Sequence, residues 1–177
     1  MASLGERMIG AARLDAGTYE EVEADTTATG QAALVVVLSS ICIALGAQLH
    51  AGLGGVVAVT ILRLVAWLVW ALITLQVGTR LLPGPATQAD MGQLLRTLGF
   101  ASTPGVAGLF GLVPGIAGVV DLVVSLWLVA AMVVAVRQAL DYETTGRAIA
   151  VVVIGAIAYF LIAFLLASLL FGTSRMS

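Results

Sequence analysis

The sequence predicts an all-α fold, a polytopic transmembrane helical bundle of five spans. Its N-terminus is expected inside, its C-terminus outside, with a short N-terminal interfacial helix before the first span. Three observations predict it. Of the 177 residues, 60% are hydrophobic and only 10% are charged, against about 25% charged in soluble domains. The apolar residues gather into five runs, each near the ~20 residues that cross about 30 Å of hydrocarbon. The eight basic residues are all Arg, and six of them fall on one side of the resulting topology. An apolar excess this large must face lipid. Lipid cannot satisfy open backbone groups, so the spans are helices, and no ~10-residue alternation points to a barrel.

Residues 1–27 form a cytoplasmic or interfacial N-terminal segment, and residues 28–177 form the five-helix transmembrane domain. Ser3 and Glu6 have capping-box spacing, and Leu4, Met8, Ile9, Ala11 and Ala12 share one helical face. Arg7 and Arg13 lie away from the centre of that face. This predicts a short helix lying on the membrane surface; a frayed terminus is the simpler alternative. Thr18 with Glu21 repeats the capping pattern and opens an acidic turn that ends at Asp25. The five spans are expected near residues 29–49, 56–77, 94–113, 116–136 and 148–171. The link 50–55 is Gly-rich and carries no formal charge. A polar loop follows the second span, with Leu82-Pro83-Gly84-Pro85, and Thr87 with Asp90 reads as the next cap. Pro104 interrupts the third span, Pro114-Gly115 forms a tight turn, and a charged loop over 137–147 precedes the fifth. With the N-terminus inside, Arg7, Arg13, Arg80, Arg96, Arg137 and Arg147 are inside and only Arg175 is outside, which fixes the orientation.

Several function classes are excluded. A net charge of -2 with no basic stripe argues against nucleic acid. The absence of Lys removes the phosphate-loop, Schiff-base and kinase lysines. Cys42 is the only cysteine, reads as a small buried hydrophobe and permits no intrachain disulfide. His50 is the only histidine and makes no metal site by itself. With no nucleophile–base set and no paired carboxylates, neither enzyme activity, a metal nor a cofactor is expected. The acidic stretch before the first span is unlike a secretory signal. The Ala, Gly, Val, Leu and Arg bias fits a GC-rich bacterial genome, so the expected location is a bacterial plasma (inner) membrane.

From Arg96 onward a further pattern appears. Arg96-Thr97-Leu98-Gly99-Phe100-Ala101-Ser102-Thr103-Pro104-Gly105 is followed by Leu112-Val113-Pro114-Gly115, then Asp121 to Trp127. Val136-Arg137-Gln138-Ala139-Leu140 and Gly146-Arg147-Ala148-Ile149-Ala150 complete it. This resembles the Yip-domain (Ypt-interacting protein) family, in a bacterial-type form, and the acidic Tyr19–Asp25 stretch fits as well. The resemblance implies five spans, a cytoplasmic N-terminus and, from eukaryotic members, an association with small Rab-type GTPases and vesicle traffic.

Two intramembrane charges stand out. Arg63 is about seven residues into the second span, ~10 Å, and Asp121 about five residues into the fourth, ~8 Å. Both spans run outside to inside, so the two lie at matching depth and are expected to pair. The pair reads as a register-fixing ion pair or as a substrate, proton or lipid-headgroup site. On the cytoplasmic face, Glu20, Glu21, Glu23 and Asp25 are expected to dock near Arg96, Arg137 or Arg147. That face reads as a docking surface for a partner or anionic lipid, or as simple neutralisation of helix-end arginines. Pro104, Pro114 and Gly115 with their neighbouring glycines suggest close helix packing or a discontinuous helix. Trp67, Trp70 and Trp127 fall near mid-span and read as packing residues, with a pocket for a lipid tail or apolar ligand as the alternative.

The function expected is that of a non-enzymatic integral membrane scaffold or adaptor of the Yip-domain type. The alternative is a small permease or channel subunit for an ion, small solute or lipid. Expected partners are the lipid bilayer and a second copy or another membrane protein, with no nucleic acid.

Overall fold

The computed structural model describes residues 2–47 and 52–172; His50 and Arg175 lie outside them. Among the described residues the regular structure is helical throughout. Helix α1 is Leu4–Ala12 and α2 is Ala16–Ala24, and a 3-10 turn at Thr26–Ala28 leads into α3, Thr29–Gly46. Helix α4, Gly52–Gln76, runs on into a π turn, Val77–Leu81. Helix α5, Met91–Phe100, is continued by a 3-10 segment, Thr103–Leu112. Helices α6, Ala117–Ala139, and α7, Thr145–Gly172, complete the chain.

Among the described residues, four stretches are long and apolar enough to cross a membrane: Thr26–Gly46, Gly52–Leu81, Ala117–Ala139 and Thr145–Ile162. The predicted third span is built differently. Pro104 has no N–H for the carbonyl of Phe100, so the α-helical ladder cannot continue through it. The Thr103 hydroxyl takes that carbonyl at 2.7 Å, and the backbone tightens into 3-10 geometry. At about 1.5 Å per residue in α5 and 2.0 Å beyond it, the combined segment is ~35 Å long if straight. Its irregular part lies against protein: Thr103, Pro104, Gly105, Gly108 and Gly111 are buried, the condition under which non-helical backbone is tolerated at membrane depth.

Glycine makes that packing possible. A Cβ on Gly46 would lie 1.8 Å from the Gly108 carbonyl oxygen, and one on Gly105 would lie 2.0 Å from Ser39 Oγ. Gly99 faces Ala32, Gly108 faces Ile43 and Gly111 faces Gly46. Both series ascend together, so α3 and the α5/3-10 segment run parallel, backbone against backbone.

Local ends differ from the sequence reading in three places. The Ser3–Glu6 capping box forms on α1, but α2 is capped by Asp15, whose carboxylate accepts from Thr18 N–H at 3.0 Å. Thr18 therefore lies inside the first turn, and the acidic turn is a helix. Helix α5 is capped by Asp90 with Gln93, which leaves Thr87 Oγ1 to donate to Leu140 O at 2.7 Å. The second span outlasts its expected end at residue 77, because the π turn carries it to Leu81. The Pro114-Gly115 turn forms as expected: Gly115 has φ +85° and Ile116 N–H bonds back to Val113 O at 3.4 Å, the pattern of a type II turn. Pro114 and Gly115 are both exposed.

The core sits at the arginine-bearing end. Tyr19 and Val22 of α2, Leu94, Leu98 and Phe100 of α5, and Val136 and Leu140 around the end of α6 are buried together. Along the spans Leu62, Leu126 and Phe160 are each more than 60% exposed, as lipid-facing residues are.

Candidate functional site

At the arginine-bearing end, α1 and α2 are fastened to the bundle by a set of charged and polar contacts. Arg7 is the centre of the set. Its Nη2 lies 3.0 Å from Glu21 Oε1 and 2.7 Å from Asp25 Oδ2, and its Nη1 donates to Gln31 Oε1 of α3 at 3.0 Å. The side chain is only 2% exposed. The sequence reading places Arg7 away from the centre of the apolar face; the opposed carboxylates at the end of α2 hold it buried there. Ile9, counted on the apolar face, is 55% exposed.

Arg96 of α5 is buried and donates from Nε to the carbonyls of Val22, at 3.1 Å, and Glu23, at 3.0 Å, while Nη2 also bonds Glu23 O. These are orphan carbonyls at the C-terminus of α2, where a cation is favoured by the helix dipole. Glu23 Oε1 accepts from Gln93 Nε2 at 3.0 Å, and Glu20 Oε1 accepts from Gln138 Nε2 at 2.8 Å. The acidic segment thus docks on α5 and α6, with Arg96 holding it by backbone carbonyls rather than by carboxylates. Arg137 and Arg147 are used elsewhere. Arg137 braces the α6–α7 loop through Tyr142 O, Glu143 O and Thr145 Oγ1. Arg147 donates to Pro83 O at 2.8 Å.

The electrostatics of this end are uneven. Burial, then the nearby charges of Asp141, Glu20 and Asp90, push the Glu23 carboxyl up to about 7 against the pull of Arg96. Hydrogen bonds from Thr27 and Arg7 hold Asp25 down at about 2. Asp141 owes its position to backbone geometry. It has φ +50° just past α6, while Asp141 N–H bonds Gln138 O and Tyr142 N–H bonds Arg137 O, a Schellman closure.

Helix α1 does not lie flat at the rim. Trp127 Nε1 donates to Ala12 O at 2.7 Å, and Trp127 is 12 residues, ~18 Å, from the Ala139 end of α6. The N-terminal segment reaches along the bundle, beside a groove that also takes in Pro104 and Phe110.

The two intramembrane charges are not brought together. Among the described residues the ion pairs are those of Arg7; Asp121 is exposed on α6, and Arg63 turns into a different space. That space is a cavity of about 350 Å³ between α3, α4, α5, α6 and α7, lined by Ser39, Ser40, Arg63, Trp67, Trp70 and Tyr159 among apolar residues. Matching depth along two helices was the basis for pairing them; α4 packs mainly on α3, α5 and α7 rather than on α6, and Asp121 faces outward. The sequence reading missed Ser39 and Tyr159 as neighbours of Arg63. The i, i+4, i+7 spacing of Arg63, Trp67 and Trp70 does put all three on one face of α4.

Over the described residues no group of three His, Cys, Asp or Glu is placed to hold a metal. The model of the Yip1 domain matches residues 16–165. The chain belongs to the Yip1 domain family. The match begins at the first residue of α2, so the docked acidic helix is inside the Yip1 domain and the α1 helix precedes it. No curated protein and no solved structure matches the chain. This Yip1 domain protein is accordingly an integral membrane protein of helical architecture, from a family not known for enzymes.

Proposed function

We propose that this Yip1 domain protein is a non-enzymatic scaffold or adaptor of a bacterial plasma membrane, acting in membrane organisation or trafficking. In this reading it has five crossings, its N-terminus inside and its C-terminus outside. The observation that carries the reading is the locked N-terminal segment. Arg7, Arg96, Gln93 and Gln138 fix α1 and α2 against α3, α5 and α6, which makes one surface of fixed shape at the arginine-bearing end. A surface held this way can present the exposed Glu20 and Glu21 carboxylates to another protein, or to a second copy, without an ordering penalty on binding. The parallel run of α3 and the α5/3-10 segment supports the five-crossing topology, because two parallel neighbours must cross in the same direction.

In the permease alternative the two intramembrane charges would share one substrate cavity. The cavity reaches Arg63 but not Asp121, which leaves it without the titratable partner that coupled transport uses. Crosslinking in native membranes followed by affinity purification tests the scaffold reading. A discrete partner or second copy should be captured by the intact chain and lost on Arg7→Ala, with folded yield of the spans kept. Equal capture by both chains, together with solute flux in proteoliposomes that Arg63→Gln abolishes, would replace the scaffold with the permease.

A further inference from the structure

The Arg63 cavity is rich in hydrogen-bond donors, and its lining holds no carboxylate to match the guanidinium. Arg63 lies 11 residues after Gly52 and 18 before Leu81, ~17 Å and ~27 Å along the helix, so it is far from either end. It makes no hydrogen bond or ion pair with any described residue, and a guanidinium has only donors to offer. Around it, Ser39 Oγ, Trp67 Nε1 and Trp70 Nε1 are buried and unpartnered, and Ser39 is 1% exposed. Indole N–H groups are donors only. Polar groups left unsatisfied in a span are expensive, and an ionised one more so. Such groups persist in membrane helices mainly where they serve a pathway or a ligand.

The chemistry of the missing partner follows from the donors. It must be rich in acceptors and must carry negative charge to match Arg63, which together describe an oxyanion; arginine's planar fork suits phosphate. The rest of the lining is Val36, Leu62, Ala66, Leu98 and Met132, which suit a hydrocarbon chain, together with Tyr159 and with Ser40 and Ser102, whose hydroxyls donate to the carbonyls of Val36 and Leu98. Leu62 lines the cavity and is 66% exposed, with Ile61 and Val65 exposed beside it, so the mouth opens among lipid-facing residues. A volume of about 350 Å³ holds a phosphate headgroup and the start of a chain, with the remainder left in the bilayer.

We propose that the cavity framed by Arg63, Ser39, Trp67 and Trp70 binds a phosphate oxyanion, supplied by the headgroup of an anionic phospholipid entering sideways from the membrane. The site is independent of the docked N-terminal segment and of the scaffold reading.

Full-length protein in nanodiscs of phosphatidylcholine, with and without phosphatidylglycerol, tests it by native mass spectrometry of retained lipid and by thermal midpoint. The intact chain should retain phosphatidylglycerol over phosphatidylcholine by about tenfold, the scale of one charge-assisted contact. Arg63→Gln should erase that preference while folding as well as the intact chain or better, since it removes an unpaired charge. Ser39→Ala should weaken the preference, and Arg63→Lys should keep part of it. Stabilisation by added inorganic phosphate in phosphatidylcholine discs, lost on Arg63→Gln, would keep the oxyanion site and make its source soluble. Equal retention of the two lipids by the intact chain and Arg63→Gln, with no response to phosphate in either, would overturn the proposal. Should Arg63→Gln fail to fold, Ser39→Ala and Trp70→Phe carry the same comparison.

Discussion

Arg7 Nη2 lies 2.7 Å from Asp25 Oδ2, and that contact joins the first helix to the residue at which the chain turns into the bundle. Arg7 is shared with Glu21 and Gln31, so its removal leaves two carboxylates facing each other. Arg7→Ala should raise hydrogen exchange of residues 4–24 by about tenfold or more, since bonds to charged groups are the stronger class. Exchange in α6 and α7 should change little. Unaltered exchange in α1 would show that the apolar contacts of Ala11 and Tyr19 hold the segment alone.

The docking should depend on pH from both sides. Glu23 is raised to about 7 from an ordinary 4.5. Its contribution is therefore full below the ordinary value and is lost as pH rises through 7. Asp25 is lowered to about 2 from 3.8, so its contribution is full above 3.8 and is lost as pH falls through 2. The segment should be held most tightly between about pH 4 and 5 and should loosen on either side. Glu23 is only partly buried, so screening limits the effect to about tenfold in exchange between pH 5 and 8 after correction for intrinsic rates. Glu23→Gln should flatten the alkaline limb and leave the acid limb in place.

Asp141 offers a second handle on the same titration. Its charge is the largest push on Glu23 after burial, yet its backbone sits in the left-handed region, which Asn tolerates well. Asp141→Asn should lower the midpoint of the alkaline limb without moving the thermal midpoint by more than a degree or two. A large drop in thermal stability would mean that the Asp141 carboxylate itself holds the α6–α7 loop.

The backbone contact between α3 and the 3-10 segment makes sharply different predictions for glycines in one helix. Gly46→Ala sets a methyl 1.8 Å from the Gly108 carbonyl oxygen and should cost about 3 kcal/mol or more, the upper range for overpacking. Gly30→Ala meets nothing within 4 Å and should be neutral or stabilising by up to about 1 kcal/mol through helix propensity. Thermal midpoints in detergent of the two variants decide it, and similar values would rule out a close approach at Gly46.

Topology is open to direct measurement. Reporter fusions after Gly84 and Tyr142 should report the cytoplasm and a fusion after Ser177 the outside, as arginine placement requires. A cytoplasmic signal at Ser177 would mean an even number of crossings.

The helical class and four of the five apolar runs were legible because hydropathy and length determine them almost alone. The Ser3–Glu6 box and the Pro114-Gly115 turn were legible because each is a local pattern with a local cause. The third run was harder to read: Pro104 marked the break, but only the Thr103 hydroxyl and the parallel contact with α3 decide that the chain continues as 3-10. The burial of Arg7 was not legible, because it is set by carboxylates 14 and 18 residues on, which no helical period reveals. Arg63 and Asp121 were paired on depth, the one coordinate a linear sequence supplies; which spans pack side by side, which it does not supply, keeps α4 and α6 from being close neighbours.

The parallel partnership of α3 with the α5/3-10 segment also constrains biogenesis. A 3-10 stretch rich in glycine cannot shield its own backbone from lipid, so it has no stable place in the bilayer until the Gly46 side of α3 is available to it. Between the two, the ribosome must deliver all of α4, including Arg63. The nascent chain therefore passes through a stage with a charged helix inserted and its neighbouring wall absent. Because α3 is made first, the third run meets its partner face already in place, and order of synthesis matches order of packing.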